Sequence, residues 1–209
     1  SLVFNSVFKG ELDKSKLWQH FQGIEIETSN DIFDDEIINL MDFNCDQKND
    51  VHFFYTLPFN KNTALIETTW LSNLENQSLM DYDLQLENYI KNNLGIKNYK
   101  INFMEKGAIP LFYPSFKKDD KTINIGSAGG MTRLSTGYTF LNIQEHSKYI
   151  VKNIDKIKEI ETYNIGRKYQ FLDKIFLKVL ENHPKKMPEI FFNMFKTSSN
   201  TAIKFLSNK

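Results

Sequence analysis

The sequence predicts an α+β fold, in which a mixed, mainly antiparallel sheet packs against helices and is followed by a helical carboxy-terminal tail. Four strand-like runs between residues 21 and 70 are joined by short polar segments, which is typical of antiparallel neighbours. One stretch with helical spacing follows them, and the pattern from residue 162 onward is helical. These three observations predict the fold class.

The predicted sheet begins at residues 21–28 (FQGIEIET), where apolar and polar residues alternate as in a half-buried strand. Four further runs have a strand-like composition, and they lie at 40–43, 52–57, 64–70 and 99–103. Polar turn segments such as CDQKND at 45–50 separate them. We therefore expect a mixed antiparallel sheet with one helix packed on a face.

Two helical regions are predicted on either side of residue 100. In the first, apolar side chains recur at helical spacing at Tyr82, Leu86, Tyr89 and Ile90, and Gly95 is placed to end the helix. In the second, six apolar residues share one helix face: Phe171, Leu172, Ile175, Phe176, Val179 and Leu180. Pro184 and Pro188 separate that helix from the next one.

Residues 123–131 (INIGSAGGM) predict a short strand that leads into a glycine-rich loop. A helix is expected from near Gly137 to about Asn153. Glycines let the main chain approach a ligand closely, and a helix start directs N–H groups and partial positive charge toward it. The pattern is neither a dinucleotide fingerprint nor a phosphate loop, so a purely structural glycine turn is the alternative interpretation.

These patterns divide the chain into three predicted parts. Residues 1–125 form a substrate-binding antiparallel sheet domain, residues 126–160 form the glycine-rich loop and its helix, and residues 161–209 form a helical carboxy-terminal unit. The chain begins without methionine, so we expect it to be a piece of a longer protein.

Composition excludes several classes of function. The 26 basic residues balance the 26 acidic ones, so no overall positive field favours nucleic acid as a partner. The single cysteine, Cys45, the absence of a long apolar run and the absence of a signal-peptide pattern predict a cytoplasmic protein. The 18 Phe, 9 Tyr and 2 Trp are enough to line a large apolar cavity, with plain core packing as the alternative.

Glu67 is the first candidate catalytic residue. It lies in LIETT at 65–69, an otherwise apolar and hydroxyl-bearing strand. Burial makes an ionised carboxyl group costly, so the pKa of Glu67 is expected to rise and the group to act as a general acid. The alternative is an ion pair between Glu67 and a lysine on the wet face of the sheet.

Glu105 is the second candidate. It lies in MEKGAIP at 104–110, where we expect a strand to end in a turn that exposes Glu105 beside Gly107. In that position Glu105 would contact a ligand or cap backbone amides. A turn carboxylate without chemistry is the alternative interpretation.

Five short motifs in order resemble the lycopene beta- and epsilon-cyclase family. They are LMDF at 40–43, YTLPF at 55–59, LIETT at 65–69, E-x-G-A-I-P at 105–110 and G-M-x-x-x-S-T-G-Y at 130–138. The resemblance extends from about residue 21 to 150, and FLDKIF at 171–176 resembles bacterial members. Five motifs in register are far more specific than any one of them.

The resemblance implies the carboxy-terminal, substrate-handling part of a fold like that of flavoprotein monooxygenases. It implies reduced FAD used without net redox change, NADPH as a candidate reductant, and a linear polyene such as lycopene as substrate. In the family the first acidic residue of the strand motif is the essential acid, and Glu67 matches it. The flavin would lie against the glycine segment, and the candidate positions are Gly126, Gly129, Gly130, Met131, Thr136, Gly137 and Tyr138.

Two departures from the family pattern are present. The usual second acidic residue of the strand motif is Thr68 here, and the usual His-Pro before Ser-Thr-Gly-Tyr is Arg133-Leu134. Two other functions stay open at this point. One is a flavin monooxygenase or isoprenoid reductase of the same fold, and the other is a lipid- or carotenoid-binding module. Peripheral membrane contact through the phenylalanines of the carboxy-terminal helices is a further expectation.

Overall fold

The computed structural model describes residues 3–7, 13–113, 122–156 and 163–197. The chain divides into two compact units, of which one is Lys14–Ile109 and the other joins Ser1–Asp13 to Pro110–Lys209. Seven strands are present in the described residues: β1 (Val3–Asn5), β2 (Trp18–Glu27), β3 (Asn39–Asp42), β4 (Val51–Asn60), β5 (Thr63–Ser72), β6 (Lys100–Pro110) and β7 (Thr122–Asn124). Four α-helices accompany them: α1 (Tyr82–Asn92), α2 (Phe140–Lys152), α3 (Arg167–Asn182) and α4 (Met187–Lys196). The predicted α+β class is confirmed.

The unit Lys14–Ile109 is built on a five-stranded sheet with the order β3-β4-β5-β2-β6. β5 lies at its centre and pairs antiparallel with β2 and β4. In this register Glu67 of β5 stands opposite Gly23 on one side and Tyr55 on the other. The sheet therefore places Gly23, Glu67 and Tyr55 side by side on three adjacent strands.

One face of this sheet is covered by α1. Leu86, Tyr89 and Ile90 of the helix pack against Ile24 and Ile66 of the strands in the buried core. The helix ends where the sequence predicts, because Gly95 adopts a left-handed conformation with φ of 71° and Ile96 N–H donates to the carbonyl of Ile90 at 3.0 Å. The expected helix on one face of the sheet is thus confirmed.

β6 is longer than the sequence predicts. We expected the strand to end before Glu105, but β6 continues to Pro110, so the expected turn at Glu105 is wrong and Glu105 lies inside an edge strand. The reason is packing at Gly107, where an added Cβ would come within 2.8 Å of Cζ of the Phe21 ring. Here glycine makes room for an aromatic ring and does not end the strand.

The other unit holds a two-stranded parallel sheet, in which β1 pairs with β7 from Val3 opposite Thr122 to Asn5 opposite Asn124. Its described residues also contain three α-helices, α2, α3 and α4. α2 begins at Phe140, three residues after the expected start at Gly137, and ends close to the expected position. Pro184 does separate α3 from α4, whereas Pro188 lies in the first turn of α4, where a missing N–H costs nothing. None of the helices within the described ranges is long and apolar enough to cross a membrane.

Candidate active site

Glu67 points to the sheet face opposite α1. Alternate residues of β5 point to opposite faces, and Ile66 is buried under the helix, so Leu65, Glu67 and Thr69 share the other face. The Thr69 hydroxyl donates to Oε1 of Glu67 at 2.6 Å. No described lysine or arginine forms an ion pair with Glu67, so the alternative of a lysine pair on a wet face is not supported there.

Burial raises the pKa of Glu67 to about 7. The hydrogen bond from Thr69 opposes this shift, and the charge of Glu105 adds to it. The direction agrees with the expectation for a carboxyl group among apolar and hydroxyl-bearing side chains. A carboxyl group with this pKa is partly protonated at neutral pH, as a general acid must be.

Glu105 approaches Glu67 across the space above Gly23. A Cβ added at Gly23 would lie 3.4 Å from both Cγ and Oε1 of Glu105, and 3.2 Å from Cδ1 of Leu65. Gly23 is also the residue directly opposite Glu67 on β2. The structure therefore brings the two candidate carboxyl groups together, with a glycine in place of the side chain that would otherwise separate them.

Aromatic side chains line the β4 side of this pair. Phe53 and Tyr55 of β4 lie opposite Thr69 and Glu67 and pack edge to face, with ring centroids 5.2 Å apart. Phe43 packs against Phe53 at 5.6 Å, so the LMDF segment extends the aromatic row. Burial and the charge of Glu67 raise the pKa of Tyr55 far above its usual value, which keeps its hydroxyl protonated.

The other strand aromatics lie on the helix-covered face. Phe54 stacks on Tyr89 with centroids 4.0 Å apart, and Trp70 stacks on His52 at 3.9 Å. Trp70 also donates its indole N–H to Oε1 of Gln85 at 3.0 Å. Phe54 and Trp70 are therefore core residues that do not face Glu67.

Thr68 belongs to the same buried face. Its hydroxyl donates to Oε1 of Gln85 at 2.8 Å and lies 2.8 Å from Nε2 of His52. Burial lowers the pKa of His52 to about 4, so the imidazole is neutral at neutral pH. Position 68 is thus part of a polar network in the core, on the far side of the sheet from Glu67.

The glycine-rich segment lies in the other unit and forms a tight turn. Gly126 and Gly130 adopt left-handed conformations, with φ of 58° and 74°. The amides of Gly129, Gly130 and Met131 donate to carbonyl oxygens of residues 125–127 at 3.0–3.1 Å. These amides support the turn, so they do not form a ring of free N–H groups for a ligand.

The remaining candidate positions in this segment differ in accessibility. Met131 is buried, and the Thr136 hydroxyl accepts from the amide of Tyr138 at 3.2 Å. Gly137 adopts a left-handed conformation and donates its N–H to the carbonyl of Arg133 at 2.8 Å. Tyr138 keeps 40% of its surface exposed. Gly129, Gly130 and Thr136 are half-buried, so these three and Tyr138 are the positions of this set that keep some exposed surface.

A buried ion pair fixes the chain directly after the glycine turn. The Arg133 guanidinium donates to both carboxylate oxygens of Asp173 on α3, with the shortest distance 2.7 Å. The Ser135 hydroxyl at 2.6 Å and the Leu134 amide at 3.2 Å also donate to Asp173. Arg133 is 3% exposed and Asp173 is 0% exposed, so the pair is shielded from solvent.

Comparison with known proteins shows the family of this chain. The model of the family described as lycopene cyclase protein matches residues 2–207. The chain belongs to the lycopene cyclase family. None of the curated proteins matches this lycopene cyclase chain.

Among solved structures, this lycopene cyclase chain is similar to a geranylgeranyl bacteriochlorophyll reductase-like protein from Thermoplasma acidophilum. The sequences are 14% identical and the TM-score is 0.47. The match covers 78% of this chain and 40% of that protein, so the chain spans well under two thirds of its length.

The two departures from the lycopene cyclase motifs have different structural settings. Thr68, where the motif carries a second acid, is bonded to Gln85 and His52 on the far face, so a carboxylate there would not contact Glu67 directly. Arg133, in place of the histidine, is neutralised by Asp173 of the FLDKIF segment. The arginine that replaces the motif histidine is thus accompanied by a carboxylate partner, Asp173.

Sequence reasoning about this lycopene cyclase chain missed Gly23 as part of the site. The available signal was an isolated glycine in an alternating strand pattern, which often marks the close approach of another group. Thr69 was also missed as a partner of Glu67. Residues two positions apart on a strand always point to the same face, so this contact could have been predicted.

Replacing Gly129 with alanine is expected to destabilise the unit that contains the glycine turn. An added Cβ would lie 2.6 Å from the carbonyl oxygen of Asn124 and 2.9 Å from Cα of Ile125, which are backbone atoms that cannot move aside. We expect a loss of about 1 to 3 kcal/mol in the free energy of unfolding, measured by denaturant titration. Gly166→Ala is the control, since its nearest neighbour would be Tyr169 at 3.7 Å, and it is expected to cost under about 1 kcal/mol. Equal stability of the two variants would contradict this interpretation of the turn.

Proposed function

We propose that the protein to which this chain belongs cyclises the ends of lycopene in carotenoid biosynthesis, by protonation of a terminal double bond. The family supports the substrate class. The observation that carries the chemistry is Glu67, a half-buried carboxyl group whose pKa is raised to about 7 and which has no described cationic partner. An alkene is a weak base, so its protonation requires a neutral acid held in an apolar site.

The reaction follows from what Glu67 can donate. Its proton adds to one carbon of the terminal double bond and leaves a tertiary carbocation on the other. The neighbouring double bond attacks this cation, which forms the ring bond and moves the positive charge into the ring. Loss of a ring proton then gives the cyclic alkene, so the product is an isomer of the substrate.

The faces of Phe53 and Tyr55 can stabilise positive charge formed beside Glu67. Both rings belong to the strand next to Glu67 and share its face, whereas Phe54 and Trp70 do not. A cation over an aromatic face gains about 0.5 to 2 kcal/mol. The protonated hydroxyl of Tyr55 adds no negative charge that would trap the cation.

The glycine turn leaves room for a flat, electron-rich ring at Gly130. A Cβ at Gly130 would meet only Tyr113 at 3.8 Å within 4 Å, and Tyr138 is exposed nearby in sequence, so the backbone at Gly130 can be approached closely. We propose that these residues hold FAD, kept reduced by NADPH. Reduced FAD would supply electron density that stabilises positive charge, without net redox change.

The proposed function is tested by expressing the parent enzyme in cells that accumulate lycopene and identifying the pigments. Cyclised carotenoids of unchanged elemental composition would support it. Products that carry added oxygen or hydrogen would instead indicate a monooxygenase or a reductase. Unchanged lycopene bound to the protein would indicate a binding module.

We also propose that the carboxy-terminal helices contact the membrane in which carotenoids dissolve. α3 and α4 carry five phenylalanines. Phe191 is buried and packs against Phe176, while Phe195 is half-buried. Phe171 and Phe192 remain 63% and 64% exposed, and Lys168 and Lys196 lie on the same helices. Exposed aromatic rings beside lysines suit an anionic lipid surface.

Replacing Phe171 and Phe192 with serine is expected to weaken liposome binding by about tenfold or more, because each exposed ring would bury apolar area in the lipid. Flotation with anionic liposomes measures this. Phe140→Ser on α2 is the control, since Phe140 is 59% exposed on a different helix. If the unaltered protein stays at the bottom of the gradient, docking through these helices is wrong.

A further inference from the structure

We propose that Glu105 accepts the proton that ring closure releases and returns it to Glu67 across Gly23, which closes the catalytic cycle. This inference rests on the proposed cyclisation. It assigns separate roles to two carboxyl groups that the sheet places side by side on one face. Glu105 would be a catalytic residue in its own right, because it would touch the reacting hydrogen atom.

The need for such a group follows from the proton balance. Cyclisation changes no elemental composition, so each turnover consumes one proton and releases one. Glu67 gives up its O–H proton as a new C–H bond forms from the electron pair of the alkene. A different C–H bond then breaks, its electron pair forms the new ring double bond, and its proton needs an acceptor. Glu67 is left as a carboxylate that must be protonated again before the next turnover.

The geometry selects Glu105 as the acceptor. Oε1 of Glu105 lies 3.4 Å from the position that a Cβ on Gly23 would occupy, and Gly23 is the residue opposite Glu67 on β2. The two carboxyl groups are close enough for the charge of Glu105 to raise the pKa of Glu67. A side chain larger than glycine at position 23 would occupy the space between them.

The other groups on this face are less suited to accept a proton. Tyr55 holds its own proton, because burial and the charge of Glu67 both raise its pKa. The Thr69 hydroxyl is a very weak base and already donates to Glu67. Glu25 lies one row further along β2, opposite Leu65, and its Oε1 is 3.5 Å from the amide nitrogen of Asn102. Glu105 is therefore the carboxylate on the described part of this face whose charge raises the pKa of Glu67.

The proposal predicts that Glu67 must be protonated and Glu105 ionised at the same time. The rate should then fall on the alkaline side, as Glu67 loses its proton near pH 7. In Glu105→Gln this alkaline limb should move to lower pH, because the charge that raises the pKa of Glu67 has been removed.

The test is a pH–rate profile of the complete enzyme with lycopene and reduced flavin. Glu105→Gln is expected to lower kcat by about 10²- to 10⁴-fold and to move the alkaline limb to lower pH, while Glu105→Asp recovers part of the rate. Glu25→Gln, a half-buried carboxylate on the same face, should stay within about twofold of the unaltered enzyme. Thermal melting and flavin absorbance show that each variant is folded and loaded.

Two outcomes would overturn the inference while the proposed function stands. One is a Glu105→Gln enzyme with an unchanged rate, and the other is a slower enzyme whose alkaline limb stays in place, which would indicate a structural role only. Failure of the unaltered enzyme to cyclise lycopene at any pH would instead overturn the proposed function itself.

Discussion

Replacing Glu67 with glutamine in the complete enzyme is expected to abolish cyclisation and to leave folding and flavin binding nearly intact. Glutamine has the size of glutamate and can still accept the hydrogen bond from the Thr69 hydroxyl. An amide is far too weak an acid to protonate an alkene, so only the proton-transfer step is lost. General acid catalysis contributes about 10²- to 10⁴-fold, and the loss here should reach or exceed that range because protonation creates the reactive cation.

The measurement is the rate of product formation from lycopene, alongside flavin absorbance and a thermal melt. The pH dependence of the unaltered enzyme gives an independent check. Glu67 is active when protonated, and its pKa is raised to about 7, so the rate should fall about tenfold per unit as the pH rises above that value. A fully active Glu67→Gln enzyme would remove Glu67 from the mechanism and leave Glu105 as the remaining acid.

Replacing Asp173 with alanine is expected to lower the free energy of unfolding by more than Gly129→Ala, Gly166→Ala or Glu145→Ala. It would leave the buried Arg133 guanidinium without its carboxylate and also remove the acceptor of the Ser135 hydroxyl and the Leu134 amide. Removing one partner of a buried ion pair costs about 3 to 5 kcal/mol, because the other charge stays in a dry site. Denaturant titration of the chain, followed in the transition of the unit that contains α3, measures this loss.

The matched control is the exposed pair between Lys148 and Glu145, whose nitrogen and oxygen lie 2.9 Å apart. Glu145→Ala should cost at most about 1 kcal/mol, because solvent screens that pair. Replacing both Arg133 and Asp173 with leucine should recover part of the loss, since no unpaired charge is then buried. If Asp173→Ala is as mild as Glu145→Ala, the buried pair does not hold the segment after the glycine turn.

Local sequence patterns were sufficient to predict three strands of the sheet, the helix that covers them and the buried carboxyl group of Glu67. The strands β2, β4 and β5 and the helix α1 lie where alternation and helical spacing place them, because each buries one face against the same core. The raised pKa of Glu67 also followed from local sequence, since its strand neighbours are apolar or carry hydroxyl groups. These features depend on residues within a few positions of each other.

The features that sequence reasoning missed depend on contacts between distant residues. Arg133 and Asp173 are 40 residues apart, and nothing local to either one indicates the other. The length of β6 was wrong because Gly107 and Pro110 were interpreted as turn residues, whereas the Phe21 ring from another strand occupies the space over Gly107. The pairing of Glu105 with Glu67 depends on this strand, so it could not be predicted either.

The parallel pairing of β1 with β7 constrains the order in which the chain folds. Asn5 and Asn124 are partners although 119 residues separate them, and the whole unit Lys14–Ile109 lies between them in the chain. During synthesis the intervening unit is complete before β7 has been made, and it has a core of its own. The pairing of β1 with β7 must therefore wait while the acid-bearing sheet folds, and closing that long loop should be a late and slow step.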